Sequence, residues 1–131
     1  MVPGHLAIVA AGAESIRTWR REHGGDRLDL SGADLRKLDL RGLNLAGCDL
    51  HRANLSGMDL TEIDLSEADL YGADLSRAVL RKAALYRTNL AGADLTGADV
   101  RGAGMYRAVL RGANTEGADF TGAAMLKVAR L

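Results

Sequence analysis

Apolar and polar positions repeat every five residues from Leu28 onward. The first and third positions of each five-residue frame are mostly apolar, and the second is mostly polar. This order gives the inside–outside–inside alternation of an extended segment. Twenty such frames follow one another without an insertion and end at Lys127. The regularity predicts a fold built from one small unit repeated many times.

The frame composition predicts short strands joined by corners. The third position is Leu in 15 of the 20 frames, the first is Ala in 13, the second is Asp or Asn in 15 and the fifth is Gly in 11. Since five is odd, a continuous strand would exchange its two faces at every frame, so positions four and five must turn the chain. A helix does not fit, because a step of five residues advances it by about 500° and the leucines would form no stripe.

The frames ADLRK, ANLSG, ADLYG, ADLSR, ADLTG and ADFTG resemble the A(D/N)LXX motif of the pentapeptide-repeat family. The resemblance implies an all-β solenoid, a right-handed quadrilateral β-helix with four frames in each coil. On that basis the 20 frames form about five coils, stacked at about 4.8 Å. The period of five alone would also allow a triangular coil.

The residues before the repeat predict a short helical cap. Ile16 and Trp19 lie three apart within residues 13–22, and Gly24 follows as a stop signal. A shorter helix is expected in residues 5–11. Solenoids need their open ends covered, and similar helices precede the repeats in some members of the family. The predicted organisation is an N-terminal helical cap at 1–27, the β-helix at 28–127 and a C-terminal tail at 128–131.

Charge is balanced overall but separated along the chain. Of the 131 residues, 17 are basic and 17 are acidic. Residues 28–77 hold five basic and ten acidic residues, a net charge of −5, whereas residues 78–131 hold eight basic and four acidic residues, a net charge of +4. The rod is therefore predicted to be an electric dipole, acidic toward the cap and basic toward the other end.

Catalytic, metal and cofactor signals are weak. The chain has three histidines and one cysteine, and it has no HExxH, paired CxxC, GxSxG or GxxxxGK[ST] motif. We expect no enzyme activity, no catalytic residues, no metal site and no cofactor. Cys48 occupies a first position and is interpreted as a small buried apolar residue. The alternative is a Ca²⁺ site in the column of Asp29, Asp49 and Asp69, but second-position acids occur on every face, which favours a role in the turns.

Nothing in the chain predicts a membrane partner. No apolar run approaches the roughly 20 residues that a membrane span needs. The apolar segment at 6–11 is short, and no Lys or Arg precedes it, so it is a poor signal peptide. With a single cysteine, we expect a cytoplasmic protein.

Departures from the repeat gather on one predicted face. Its frames change from LNLAG and IDLSE to AALYR, AGMYR and AAMLK, which places aromatic and cationic side chains one above another. Tyr and Arg dominate binding hot spots, so we interpret this surface as a partner-binding site. The alternative is that these side chains only cover small neighbours and keep the face soluble. The predicted partner-binding residues are Tyr86, Arg87, Tyr106 and Arg107 on this face, with Arg81, Lys82 and Arg101 at the corner that precedes it.

The last coil presents apolar side chains with little chain left to cover them. These residues are Phe120, Met125, Leu126, Val128 and Leu131. They predict a homodimer that forms through the C-terminal end about a two-fold axis.

The preferred function is a non-catalytic protein-binding or scaffolding module whose partner is acidic. The alternative that the resemblance implies is a DNA-mimicking protein that binds gyrase or topoisomerase IV and confers quinolone resistance. The balanced charge and basic later coils depart from that pattern. A further alternative is weak nucleic-acid binding by the basic half, where Asp94, Asp99, Glu116 and Asp119 are interspersed among the cations.

Overall fold

The chain begins with two short helices. The computed structural model describes residues 1–130 and has α1 at His5–Ala10 and α2 at Ala13–His23. Glu14 lies in the first turn of α2 and basic residues lie in its last, as the helix dipole favours. Neither helix of the described chain is long and apolar enough to cross a membrane.

The repeat region pairs with itself at intervals of 20 residues. The pairing consists of single parallel bridges between second-position residues, from Asp29 with Asp49 through to Val109 with Ala129. Within residues 1–130, no strand is longer than one bridging residue. A return to the same face after 20 residues means that four frames complete each coil.

Every frame ends in a tight turn at positions four and five. The third-position carbonyl accepts a hydrogen bond from the next first-position N–H, as between Leu30 O and Ala33 N at 3.0 Å. The fifth position has positive φ at eleven glycines and at eight other residues. Positive φ at the third residue of a hydrogen-bonded turn is the geometry of a type II turn. The predicted turn position is therefore confirmed.

The leucines line the axis, as predicted. Leu75 is 0% exposed, and the third positions from Leu30 to Leu110 are all buried. First-position alanines such as Ala73 and Ala78 are buried beside them. Thr88 is a buried polar residue, and its Oγ1 donates to Leu65 O at 2.8 Å. The interior is thus a narrow apolar column in which the buried hydroxyl has its hydrogen bond.

Contacts join α2 to the repeat. Arg20 donates to Asn44 O at 2.8 Å and to Ala46 O at 2.9 Å. Trp19 is 8% exposed, and its ring stacks on His23 with centroids 4.5 Å apart. The rings of His5 and Trp19 pack in a T-shaped arrangement with centroids 5.1 Å apart, and His5 Nδ1 accepts the Asp29 N–H at 2.8 Å.

Candidate functional site

The second-position carboxylates and amides are used by the turns. All fifteen Asp and Asn residues at this position accept the N–H of the residue two further along. This is the Asx turn. At Asp94, the Thr96 hydroxyl and then the Thr96 N–H lower the pKa of the carboxyl. At Asp34, the Arg36 guanidinium and then the Arg36 N–H lower the pKa to about 2. The columns of acidic residues on the surface are therefore explained by the turns, in which each carboxylate accepts a backbone N–H.

One cluster has the composition of a metal site. Asp49, His51 and Asp69 place ligand atoms within 4.8 Å of one another. His51 Nδ1 bonds Asp49 Oδ1 at 2.6 Å, and Asp69 Oδ1 accepts the Tyr71 N–H and the Asn89 amide. The turns and their neighbours account for these positions, so we assign no ion to the cluster.

Cys48 lies inside the column. Its side chain is 1% exposed, and burial raises the pKa of its thiol to about 11. A buried thiol with a raised pKa is a weak nucleophile at neutral pH, which agrees with the interpretation of Cys48 as a small apolar residue.

The face that loses its acids in the later coils is continuous. Ala84, Gly104 and Ala124 bridge one another in succession, so their frames stack directly. Arg87 N donates to Tyr106 O at 2.9 Å, and Arg107 N donates to Leu126 O at 3.1 Å. Fourth and fifth positions therefore form two parallel columns, which we call the Tyr/Arg face: Tyr86, Tyr106 and Leu126 in one, and Arg87, Arg107 and Lys127 in the other.

The two tyrosines are stacked on the outside of the rod. Their ring centroids lie 5.4 Å apart, with an interplanar angle of 11°. Arg87 Cζ lies 5.3 Å from the Tyr86 ring and Arg107 Cζ lies 5.4 Å from the Tyr106 ring. Both spacings are in the cation–π range. Tyr86 is 38% exposed, so this ordered cluster is available to a partner.

The basic residues predicted beside this cluster lie on the adjoining face and are partly neutralised. Arg81 and Arg101 both pair with Asp99, with nitrogen–oxygen distances of 2.5 Å and 2.9 Å. Hydrogen bonds from Arg101 and Arg81 lower the pKa of Asp99 despite its desolvation. Lys82 lies with these arginines at an open cavity of about 290 Å³. These three residues therefore lie together beside the Tyr/Arg face and are not part of its two columns.

The C-terminal end of the column has an apolar hollow. Phe120 and Met125 are half-buried and line a cavity of about 380 Å³ together with Leu110 and Arg130. Val128 is half-buried nearby, whereas Leu126 is 66% exposed and lies on the Tyr/Arg face. Leu131, the fifth predicted interface residue, lies outside the described residues.

Sequence reasoning located the columns but did not provide their local contacts. The 20-residue step indicated that Tyr86 and Tyr106 are neighbours. The sharing of Asp99 between two arginines was missed, although Asp99 lies two residues before Arg101 in the spacing of an Asx turn. That spacing could have indicated the pairing of Asp99 with Arg101, but not its pairing with Arg81.

Comparisons with known proteins agree on the architecture. The family model of pentapeptide repeats, eight copies long, matches residues 29–67 and 63–102. A pentapeptide repeat protein from the thylakoid lumen of Arabidopsis thaliana is 36% identical, with a TM-score of 0.60, over 70% of this chain and 60% of that one. HetL of the cyanobacterium Nostoc sp. PCC 7120, involved in heterocyst differentiation regulation, is 30% identical, with a TM-score of 0.36, over 77% and 65% respectively. The chain spans about three fifths of these relatives' length.

One solved structure is a more distant relative of the chain. QnrB1, a plasmid-mediated fluoroquinolone resistance protein, is 23% identical over 72% of this chain and 56% of its own, with a TM-score of 0.47. No curated protein matches the chain in sequence. The matched residues 29–102 make up more than half of the 131, and pentapeptide repeats imply a right-handed quadrilateral β-helix. The predicted resemblance is thus confirmed, and the chain belongs to the pentapeptide repeat family.

Proposed function

We propose that the protein is a non-catalytic binding module whose partner docks on the Tyr/Arg face. The observation that carries the proposal is the outer stack of the exposed Tyr86 on the half-buried Tyr106, with Arg87 and Arg107 against the rings. Tyr and Arg contribute a large share of interface hot spots. Because the four side chains already hold one another, a partner orders little on binding and loses less entropy.

The rest of the molecule supports this surface as a rigid scaffold. We propose five coils over residues 28–127, with residues 1–27 covering one end. In support, Arg20 and Trp19 fix α2 against the repeat, and the leucine column is closed to solvent. A rigid backbone keeps the two outer columns in register, which a loop of the same composition would not do.

The charge of the surface favours an acidic partner. Arg87, Arg107 and Lys127 follow one another along the rod, and no carboxylate within residues 1–130 forms an ion pair with them. Complementary charge raises the association rate and rejects partners of like charge. Arg81 and Arg101 contribute less because Asp99 neutralises part of their charge.

A capture experiment with a matched control tests this proposal. The wild-type protein is used to isolate binding partners from the native host, beside the double variant Tyr86→Ala/Tyr106→Ala. Tyr71→Ala is the control, because Tyr71 is 47% exposed on another face. We expect the double variant to lose the partner and Tyr71→Ala to keep it. Full retention by the double variant would show that the Tyr/Arg face is not the docking site.

We further propose that the apolar hollow at the C-terminal end is covered by a second copy. Phe120 and Met125 are half-buried there beside the buried Leu110. A two-fold axis would bring two identical hollows together. Analytical ultracentrifugation should show a dimer that Phe120→Asp converts to a folded monomer. A wild-type monomer at tens of micromolar would contradict the proposed dimer while leaving the proposed docking face untouched.

A further inference from the structure

The Tyr/Arg face has a smooth floor beside its two columns. The second positions on this face are Ala84, Gly104 and Ala124, and a Cβ added at Gly104 would meet nothing within 4 Å. Gly104 and Ala124 are exposed. A partner can therefore approach the backbone closely along the line of these second positions, with the aromatic and cationic columns beside it.

Regular stacking fixes the spacing of the cations. Neighbouring strands lie about 4.8 Å apart, so two steps from Arg87 to Lys127 cover about 9.6 Å. Tyr86, Tyr106 and Leu126 repeat at the same spacing, since each belongs to the frame of one cation. We call these three stacked pairs, one in each frame, the ladder. A partner that contacts all three pairs must present an acidic stripe and an apolar stripe at this interval.

An α-helix meets that interval better than a strand. Carboxylates at positions i, i+3 or i+4, and i+7 of a helix cover about 10.5 Å, within about 1 Å of the ladder. Side chains on one face of a strand, at i, i+2 and i+4, cover about 13.2 Å, an excess of more than 3 Å. The long Arg and Lys side chains can adjust to the first difference more readily than to the second.

We infer that the partner of the Tyr/Arg face presents an amphipathic acidic α-helix that lies along the rod axis. Its carboxylate stripe meets Arg87, Arg107 and Lys127, and its apolar stripe meets Tyr86, Tyr106 and Leu126. This inference rests on the proposed function and specifies the partner of that same surface.

The two helices of the described residues do not have the pattern of the inferred helix. Helix α1 contains no acidic residue. Helix α2 contains Glu14 and Glu22, but Arg17, Arg20 and Arg21 lie between them. Neither helix of the described residues offers an uninterrupted acidic stripe, so a second copy of these segments does not match the ladder.

A peptide titration tests the inference. The probe is a fluorescent, stapled helical peptide of about 15 residues with Glu at i, i+4, i+7 and i+11 and Leu beside each Glu, since unstapled helices of this length are marginal. Binding is followed by fluorescence anisotropy at low and physiological salt. We expect binding that Arg87→Gln/Arg107→Gln weakens about tenfold, consistent with two exposed charge pairs.

The matched control is Arg52→Gln/Arg77→Gln. These arginines also occupy fifth positions with a φ of 58°, but on other faces, so backbone strain and net charge change equally. Binding by the control should equal that of wild type, and both doubles should melt close to wild type. Equal weakening in both doubles would overturn the inference, because it would report general charge attraction.

Two competitor probes decide the geometry and the class of partner. One is an extended peptide of equal charge with Glu alternating with Thr, and the other is a short DNA duplex. Tighter binding by either, or no binding by the helical peptide, would overturn the helix inference. The capture experiment judges the docking face separately: if the tyrosine double variant loses its native partner while the helical peptide fails to bind, only the helix inference fails.

Discussion

A second-position Asp in this fold has a structural task. Its Oδ1 accepts the N–H two residues on, and Asn44, Asn54, Asn89 and Asn114 do the same with an amide oxygen. The charge is therefore not required for the turn. This explains why Asp and Asn alternate freely at the position while the backbone path stays constant.

Acid should weaken the fold through these turns. Seven carboxyl groups have a lowered pKa: Asp29, Asp34, Asp39, Asp59, Asp94, Asp99 and Asp119. The unfolded chain, with carboxyl pKa values near 3.9, binds these protons first, so the stabilisation present above about pH 4 is lost as pH falls toward about 2. Most of these groups are exposed, so each contributes little. Urea midpoints at pH 7 and pH 3 measure the sum.

Substitution of these aspartates by asparagine isolates the contribution of the carboxyl groups to the loss of stability in acid. Asp94→Asn/Asp119→Asn keeps both acceptors, and we expect a pH 7 midpoint close to wild type with a smaller fall by pH 3. Glu116→Gln is the control, because its side chain closes no Asx turn. A fall as steep in the asparagine variant as in wild type would show that these turns do not carry the acid sensitivity.

The core should respond sharply to one charge. Leu75 is 0% exposed, so Leu75→Asp buries a carboxylate without a partner and forfeits about 1.5–3 kcal/mol of Leu burial. We expect loss of the folded circular dichroism spectrum. Tyr106→Ala removes one stacked pair, worth about 0.5–1.5 kcal/mol, and should lower the melting temperature by only a few degrees. A Leu75→Asp protein that melts like wild type would disprove the axial position of the leucines.

Residue identity predicted burial well and ion pairing poorly. The inward position of Cys48 followed from its place in the frame. The pairing of Arg81 and Arg101 with Asp99 did not, because a guanidinium can reach several carboxylates on the adjoining coils and the side-chain rotamer decides among them. Repeat arithmetic fixes Cβ positions, whereas the ends of long side chains depend on local competition.

At the scale of the turn, eight of the nine fifth-position residues that replace glycine adopt the left-handed conformation, and Lys37 is the exception. Glu62, Glu67, Arg87 and Arg107 all have φ between 53° and 60°. Such a conformation costs about 1–2 kcal/mol for an ordinary L-residue. The five-residue period predicted where the turn lies. The positive φ of its fifth position is indicated in the sequence only by the frequent glycine there. Arg52 and Arg77 on other faces have the same conformation, so this cost does not distinguish the Tyr/Arg face.

Two substitutions measure this turn strain. Glu67→Gly should raise the unfolding free energy by about 0.5–1 kcal/mol, since relief of the strain exceeds the entropy cost of glycine. Gly57→Ala should lower the unfolding free energy by about 1 kcal/mol, because a φ of 67° strains an L-residue. An added Cβ meets nothing within 4 Å, so no steric clash adds to this strain. Urea denaturation with a constant slope measures both. A stabilising Gly57→Ala would mean that the fifth position tolerates side chains without strain.

The helices were predictable to within a residue or two, but their contacts were not. Ile16 and Trp19 indicated the buried side of α2, and Gly24 indicated its end. The stack of Trp19 on His23 lies within α2, but the T-shaped contact of Trp19 with His5 joins α2 to α1, which no local pattern connects. Tertiary packing of this kind has no periodic signal in the sequence.

Over the whole molecule, the separation of charge argues against imitation of DNA. A mimic of duplex DNA needs negative charge along its length, but only residues 28–77 are acidic, at a net −5, and residues 78–131 reverse it to +4. We therefore expect no inhibition of gyrase supercoiling and no protection from a quinolone at micromolar protein. QnrB1 serves as the positive control. The comparison variant Arg87→Glu/Arg107→Glu extends the acidic surface to the later coils. If the wild-type protein inhibits gyrase and this variant inhibits it more strongly, the acidic surface binds gyrase and the cationic columns do not. If the wild-type protein has no effect on gyrase, the DNA-mimic function is excluded, and the cationic columns of the basic half remain the candidate surface for a partner.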